Sequence, residues 1–311
     1  MGAPRTILLP MAALSGVGFA LIGIAYRMGQ PHGISPLHIM LYMAAGGTLL
    51  FGARSRGLSL RKAPPVVLAY GIGAGFSQYM LLKVIDAGMR MGPISPVWCA
   101  LSLGVVPTLL VAMAMFGERL STLKALALCS GLGCLLLASK SQQPAGSPAG
   151  SAAFVPSPAY LGVLLLIPAL NSVTQIAIKH MGYASWGEGN LMDGFRPLFL
   201  LLLYATLGVS TAADLLARGD LGVPLGLTAS LGCMATVGTL SGMSLLTACA
   251  RLPAALLFPI SNVVSTLVVA LVATSVLGDP RSVWWYGTVI LAVLTVILAG
   301  LGSREGAKGQ P

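Results

Sequence analysis

The sequence predicts an all-α membrane protein, with ten transmembrane helices built as two inverted five-helix repeats. Three observations carry this expectation. The 311 residues are 56% hydrophobic and only 8% charged, with a mean hydropathy of +0.88, whereas a soluble domain carries about 25% charged residues. Such a chain cannot cover itself in water, so its outer surface must be lipid. Ten apolar runs approach the length of about 20 residues that a bilayer crossing needs. The chain also repeats a phrase. Arg90-Met91-Gly92-Pro93 opens an apolar run that closes on Gly117-Glu118-Arg119-Leu120-Ser121, and Arg251-Leu252-Pro253 opens another that closes on Gly278-Asp279-Pro280-Arg281-Ser282. At one fixed offset Gly71 meets Gly232, Arg90 meets Arg251, Glu118 meets Asp279 and Ser121 meets Ser282. An internal repeat in so hydrophobic a chain marks a secondary carrier, with substrate held where the halves meet.

The predicted spans are 6–26, 36–53, 65–86, 93–116, 121–139, 158–179, 191–211, 222–247, 253–277 and 283–302. The first has only Arg5 ahead of it and imitates a signal peptide, but the spans behind it make it a retained helix. The third and eighth are the least sharply bounded. Ser, Thr, Gly and Pro within the spans suit close helix packing and local breaks. Residues 140–157, rich in Pro, Gly, Ser and Ala with Lys140 as the one charge, read as a linker. The expected organisation is a first repeat over 1–139, the linker at 140–157, a second repeat over 158–302 and a cytoplasmic tail at 303–311.

Orientation follows from basic loop residues. Arg54, Arg56, Arg61 and Lys62 cluster between spans two and three. Placing them in the cytoplasm also puts Arg5, Arg119, Lys124, Lys179, Arg251, Arg304 and Lys308 there. Arg27, Arg90, Lys140, Arg218 and Arg281 fall outside. Both termini are then cytoplasmic, in a multi-pass protein of the cell (inner) membrane. Five spans per half is an odd number, so the second half inserts upside down relative to the first.

Other classes are disfavoured. The net charge of +10 is spread singly and in small loop clusters, without the basic domain or aromatic-basic stripe of a nucleic-acid binder. Cys99, Cys129, Cys134, Cys233 and Cys249 all lie in apolar runs and form no CxxC pair, so they read as packing residues. His32, His38 and His180 lack the carboxylate spacing of a metal site. No nucleophile elbow or phosphate loop is present. The expectation is therefore no enzyme, no cofactor and no metal.

Ten short helices, a central linker and an apolar run ending in Gly117-Glu118-Arg119-Leu120-Ser121 resemble the drug/metabolite transporter superfamily, EamA-type, over residues 6–302. The resemblance implies a proline near the middle of a helix, matched by Pro107, and a closing Gly-Glu-Arg at the membrane surface, matched through Glu118. The second half departs from that pattern: Asp279-Pro280 replaces Glu-Arg, and Val268 stands where Pro107 would repeat. The resemblance further implies a carrier without ATP or bound cofactor. Such a carrier exports or takes up amino acids, nucleosides, sugars, sugar phosphates or drugs by alternating access. The expected state is a monomer or homodimer. A coupling proton is left open. Glu118 itself lies at a helix end beside Arg119, which argues for a structural ion pair.

Ionisable and amide groups inside spans face a cavity or a partner. Tyr79, Lys83 and Asp86 share a face of the third span. Two readings stand: an ion pair near the helix end with Lys83 snorkelling, or a Lys83 contact to a substrate carboxylate or phosphate, steadied by Asp86. Gln78 lies beside them. Ser95, Trp98 and Ser102 share a face of the fourth span, Asn171 and Gln175 of the sixth, and Phe258, Asn262 and Ser265 of the ninth. These are either interhelical packing bonds or the lining of one central cavity. Trp98 suits stacking on substrate or anchoring at the interface. The leading function is a carrier, and an exporter, of small organic metabolites such as amino acids. The alternatives are efflux of hydrophobic cations, flipping of lipid-linked sugars, and a scaffold that transports nothing. A central polar cavity separates carrier from scaffold.

Overall fold

The computed structural model describes residues 5–58, 60–91, 97, 100–101, 103–116, 121–141, 157–187, 193–220, 224–249, 252–276 and 283–308. Trp98, Ser102, Glu118, Asp279 and nearly all of the linker lie outside these residues, as do Arg251 and Ser282 of the repeated phrase. The described chain is helical, without strands. The helices are α1 (Arg5–Gly29), α2 (Pro36–Arg54), α3 (Pro65–Met91), α4 (Val105–Phe116), α5 (Thr122–Ser141), α6 (Pro158–Gly187), α7 (Arg196–Arg218), α8 (Leu225–Thr239), α9 (Ser241–Cys249), α10 (Ala254–Ser275) and α11 (Val283–Lys308).

Local chemistry sets several of these bounds. Pro36, Pro65 and Pro158 each begin a helix, where a missing N–H removes no bond and the fixed φ is already helical. Gly219 ends α7 in the left-handed region, at φ 65°, a conformation that glycine adopts without strain. Pro107 lies in the first turn of α4, just past a turn at Gly104. There its missing N–H is harmless.

Seven segments are long and apolar enough to cross a membrane: Leu8–Gly29, Pro36–Arg54, Pro65–Gly88, Pro158–Gly182, Arg196–Arg218, Leu225–Cys249 and Ala254–Val272. Three shorter apolar helical segments accompany them, Val105–Met115, Thr122–Cys134 and Val283–Leu298. Large apolar side chains stand on the outer surface, with Leu165 76% and Val283 83% exposed. In water such a surface would aggregate; in lipid it is solvated. The chain is a multi-pass helical membrane protein.

Most described helices overlap the predicted spans, with several differences: the fourth span is an α-helix only from Val105, after a turn at Gly104, the sixth runs on to Gly187, and the seventh is shifted to Arg196–Arg218. The eighth span is broken at Leu240 into α8 and α9. Around the break Leu240 N–H bonds to Val237 O at 3.2 Å and Met243 N–H to Leu240 O at 3.3 Å, a tighter winding than the α-helical i−4 pattern. The last helix continues to Lys308, past the expected end at 302, because nothing obliges a helix to stop at the lipid boundary.

Packing interleaves the two halves of the sequence. α3 lies against α6 and α7, while α8 and α9 lie against α1 and α8 also against α2. α2 packs on α7 and α1 on α10; α5 and α11 form a flanking pair joined to the rest mainly through α10. In that pair Thr295 Oγ1 donates to Ser130 Oγ at 3.0 Å, and Ser130 Oγ to Leu291 O at 3.1 Å. One close crossing joins α1 to α8 and α9. A Cβ built on Gly18 would lie 2.2 Å from Ser241 Cβ, and one on Gly238 2.5 Å from Gly18 O. Small residues at such crossings let dispersion act between backbones.

Gly18→Ala is therefore expected to lower stability by about 1–3 kcal/mol through overpacking. Gly162→Ala, where a Cβ has nothing within 4 Å, serves as control. Thermal unfolding of the detergent-purified variants checks this; equal unfolding temperatures would contradict the close crossing.

Candidate functional site

A cavity of about 600 Å³ lies inside the bundle. Its wall is drawn from both halves: α1, α2, α3, α6, α7, α9 and α10 all contribute, together with Leu101. The cavity reaches the surface at the end of the bundle where α1 and α3 finish, since exposed Arg27, Gly33 and Arg90 are part of its wall.

The opposite end is closed. Ile178 and Leu245 form part of the floor, and just beyond them Lys179 is buried. Its ammonium donates to Leu252 O at 2.7 Å and Cys249 O at 3.3 Å. Those carbonyls belong to the end of α9 and the following turn, where a helix leaves acceptors unsatisfied. Tyr70 stacks on His180 with ring centroids 4.8 Å apart, tying the start of α3 to α6 at the same end.

The predicted site residues divide into three groups. Gln78, Asp86, Asn171, Gln175 and Asn262 all line the cavity, as do Phe258 and Ser265. Tyr79 and Lys83 do not. Trp98 and Ser102 lie outside the described residues, as do Glu118 and Asp279. Three of the cavity amides have different surroundings. Asn171 Nδ2 donates to Leu101 O at 2.8 Å; that carbonyl also accepts from Gly104 N at 3.2 Å, at the turn before α4. Thr108 Oγ1 donates to Gln175 Oε1 at 2.8 Å. Asn262 Nδ2 is buried without a hydrogen-bond partner. Asn171 and Gln175 thus serve packing as well as lining, and Asn262 is the amide left with unused donors.

The expected pairing of Lys83 with Asp86 requires correction. Lys83 Nζ bonds Asp214 Oδ1 across to α7 at 3.1 Å and lies 5.5 Å from the Tyr79 ring centroid. Asp86 instead takes Arg90 at 3.0 Å and lies 3.9 Å from Arg218, while Arg218 bonds Asp214 at 2.9 Å. The reason is geometric: a partner on the neighbouring helix faces Lys83 directly, whereas three residues along its own helix Asp86 is claimed by two guanidinium groups. The result is one ionic cluster joining the ends of α3 and α7 beside the cavity mouth.

Sequence reasoning did not single out Asp214, Tyr26, Tyr204 or His38 as site residues. Tyr26 and Tyr204 line the cavity. Ser35, also on the wall, lies 2.7 Å from Nδ1 of buried His38, whose Nε2 lies 2.8 Å from Asp220 O. A carbonyl only accepts, so Nε2 donates to Asp220 O. This ties the start of α2 to the end of α7. Among the described residues no three His, Cys, Asp or Glu side chains gather as a metal site.

The chain is similar in fold to a protein of known crystal structure, described only as "Crystal structure of protein". The TM-score is 0.73 at 16% identity, covering 97% of this chain and 99% of that one. No protein-family model matches the chain, and no curated protein matches it.

Asp214 serves two cations, and removing Lys83 still leaves it Arg218. Asp214→Asn is therefore expected to cost more than Lys83→Gln, about 1–3 kcal/mol against under about 1 kcal/mol. Thermal unfolding of the two variants measures the order, and the reverse order would refute the shared-anion geometry.

Proposed function

We propose that the chain is a secondary transporter of the drug/metabolite type. It exports small organic metabolites, such as amino acids or related compounds, across the cell (inner) membrane by alternating access. The observation that carries this reading is the cavity, a space of about 600 Å³ walled by both halves, reaching the surface at one end and floored at the other. A scaffold has no use for buried amides around an interior space, because each must find a hydrogen-bond partner. A carrier needs such groups to replace the water that a substrate loses on entry.

The proposal includes ten spans in two inverted repeats. Its support is a set of contacts that keep their form when the halves are exchanged. Gly71 of α3 packs on Leu202 of α7, and its counterpart Gly232 of α8 packs on Tyr42 of α2. Four residues further on, Gly75 meets Thr206 and Thr236 meets Gly46. α3 lies on α6 and α7 as the broken helix α8–α9 lies on α1 and α2. With both termini cytoplasmic, the cavity mouth faces outward and the Lys179 end faces the cytoplasm. The closed end then opens, and the mouth shuts, in the other half of the cycle.

Two outcomes are expected. A cysteine introduced at position 146 on a cysteine-free background reacts with an impermeant maleimide from outside intact cells; reaction only from the cytoplasm would overturn the topology. In a thermal-shift panel of amino acids, nucleosides, sugars and organic acids, at least one compound raises the unfolding temperature, by mass action. Asn262→Ala then weakens that response without lowering the unliganded unfolding temperature. Asn171→Ala lowers the unliganded temperature, because Leu101 O loses its shorter hydrogen bond and keeps only the one from Gly104 N–H. Silence across the whole panel, with no counterflow in proteoliposomes, would refute the carrier.

A further inference from the structure

The middle of the cavity is polar but uncharged. Ser77 Oγ of α3 donates to Leu170 O of α6 at 2.9 Å. Gln78 and Asn171, the next residue along each helix, therefore stand at the same height in the wall that both line. Gln175 follows Asn171 by one helical turn. Among the described residues, the Asp, Lys and Arg side chains of the wall are Arg27, Asp86 and Arg90, all at the mouth. Asp86 lies about 12 Å along α3 from Gln78. Lys179 lies as far from Asn171 in the other direction, below the floor, and is taken up by backbone carbonyls. Residues 92–104, which supply Leu101 to the wall, contain no ionisable residue but Cys99.

Two of the amides are held in a fixed orientation. Leu101 O only accepts, so the end of Asn171 that meets it is Nδ2, at 2.8 Å. A Cβ on Gly104 would lie 2.7 Å from that nitrogen, so only glycine leaves the amide room to reach the turn. Oδ1 of Asn171, an acceptor, is left for the cavity. Gly104 O already accepts from Thr108 N–H at 3.3 Å, which leaves the Thr108 hydroxyl proton for Gln175 Oε1 at 2.8 Å. Nε2 of Gln175, a donor, is left for the cavity. One face of α6 thus presents an acceptor and a donor one turn apart, each steadied from behind by the chain around Gly104.

We propose that this face of α6 selects the cargo, and that the cavity takes uncharged carboxamides and lactams with an apolar body. The carbonyl oxygen of such a group accepts from Gln175 and its N–H donates to Asn171. The body packs on Phe19, Ile22, Leu82 and Phe258 of the same wall. A ketone satisfies Gln175 alone. A carboxylate or ammonium carried to this depth exchanges water for neutral groups, which is strongly unfavourable; held back at the mouth, it leaves both amides unmet. This inference rests on the cavity being the transport site, and it narrows the cargo: a free amino acid binds less well than an uncharged amide of the same size.

Four probes of one skeleton test it in thermal shift on the purified full chain: 3-phenylpropanamide, 4-phenylbutan-2-one, 3-phenylpropionate and 3-phenylpropylamine. The amide is expected to act at a concentration about fivefold lower than the ketone, the worth of one hydrogen bond. It acts at a concentration about tenfold lower than the acid or the amine. Gln175→Met weakens the responses to amide and ketone alike, by about fivefold. It leaves the unliganded unfolding temperature unchanged, because Gly104 O, 2.8 Å from Thr108 Oγ1, takes over the hydroxyl proton. The wild-type probe order is read independently of this variant. A lower unliganded temperature with unchanged probe responses would make Gln175 a packing residue and overturn the proposal. So would a ketone, acid or amine that acts as well as the amide, or silence from all four probes while other compounds of the wider panel respond. Those results leave the carrier reading intact. Silence from the four probes and from the wider panel overturns both.

Discussion

Hydrocarbon offers no hydrogen-bond partner, and the interior of this protein is arranged around that fact. At three interruptions of the helical ladder, a side chain from another helix supplies what lipid cannot. At the turn before α4, the carbonyl of Leu101 is met by Asn171 of α6. At the end of α9, the carbonyls of Cys249 and Leu252 are met by Lys179 of the same α6. At the start of α2, His38 reaches the backbone of Asp220 just past α7. Polar residues in these helices are thus placed by backbone interruptions before any substrate is considered.

The interior space sits between those interruptions. α6 supplies Asn171 and Gln175 to its wall and Lys179 to the closed end one turn further on. One helix therefore carries both the lining and the closure. At the other end α3 combines Gln78 on the wall with Asp86 and Arg90 at the mouth. The two helices pack on one another, so the polar path through the protein runs along a single helix pair, one member from each half of the sequence.

The spans were legible because a bilayer demands long apolar runs, and such runs stand out without knowledge of tertiary structure. Gln78, Asn171, Gln175 and Asn262 were legible for a related reason: an amide in a greasy run is conspicuous, and its helical face follows from spacing. The ionic partners were not. Lys83 and Asp86 look like a pair because they are near in sequence, but α7 brings Asp214 and Arg218 to them across 131 residues, which no local pattern encodes. Tyr26 and Tyr204 carry no such signal, because nothing in the local sequence shows that a tyrosine in an apolar run turns toward the interior. His38 was weighed only as a metal ligand, whereas its partners are a neighbouring serine and a distant carbonyl.

The contact at Gly18 and Gly238 has a mechanical consequence. Where a glycine lets the next helix come this close, few rotamers are available to absorb relative sliding, so the joint is stiff. Stiff joints of this kind fasten α1 to α8 and, through Gly71 and Gly75, α3 to α7. Each half of the sequence has lent its third span to the other. The most tightly joined units of the fold are therefore composites of both halves of the sequence. The linker divides the sequence in two, but the packing divides it elsewhere, along the seams where side chains rather than glycines meet.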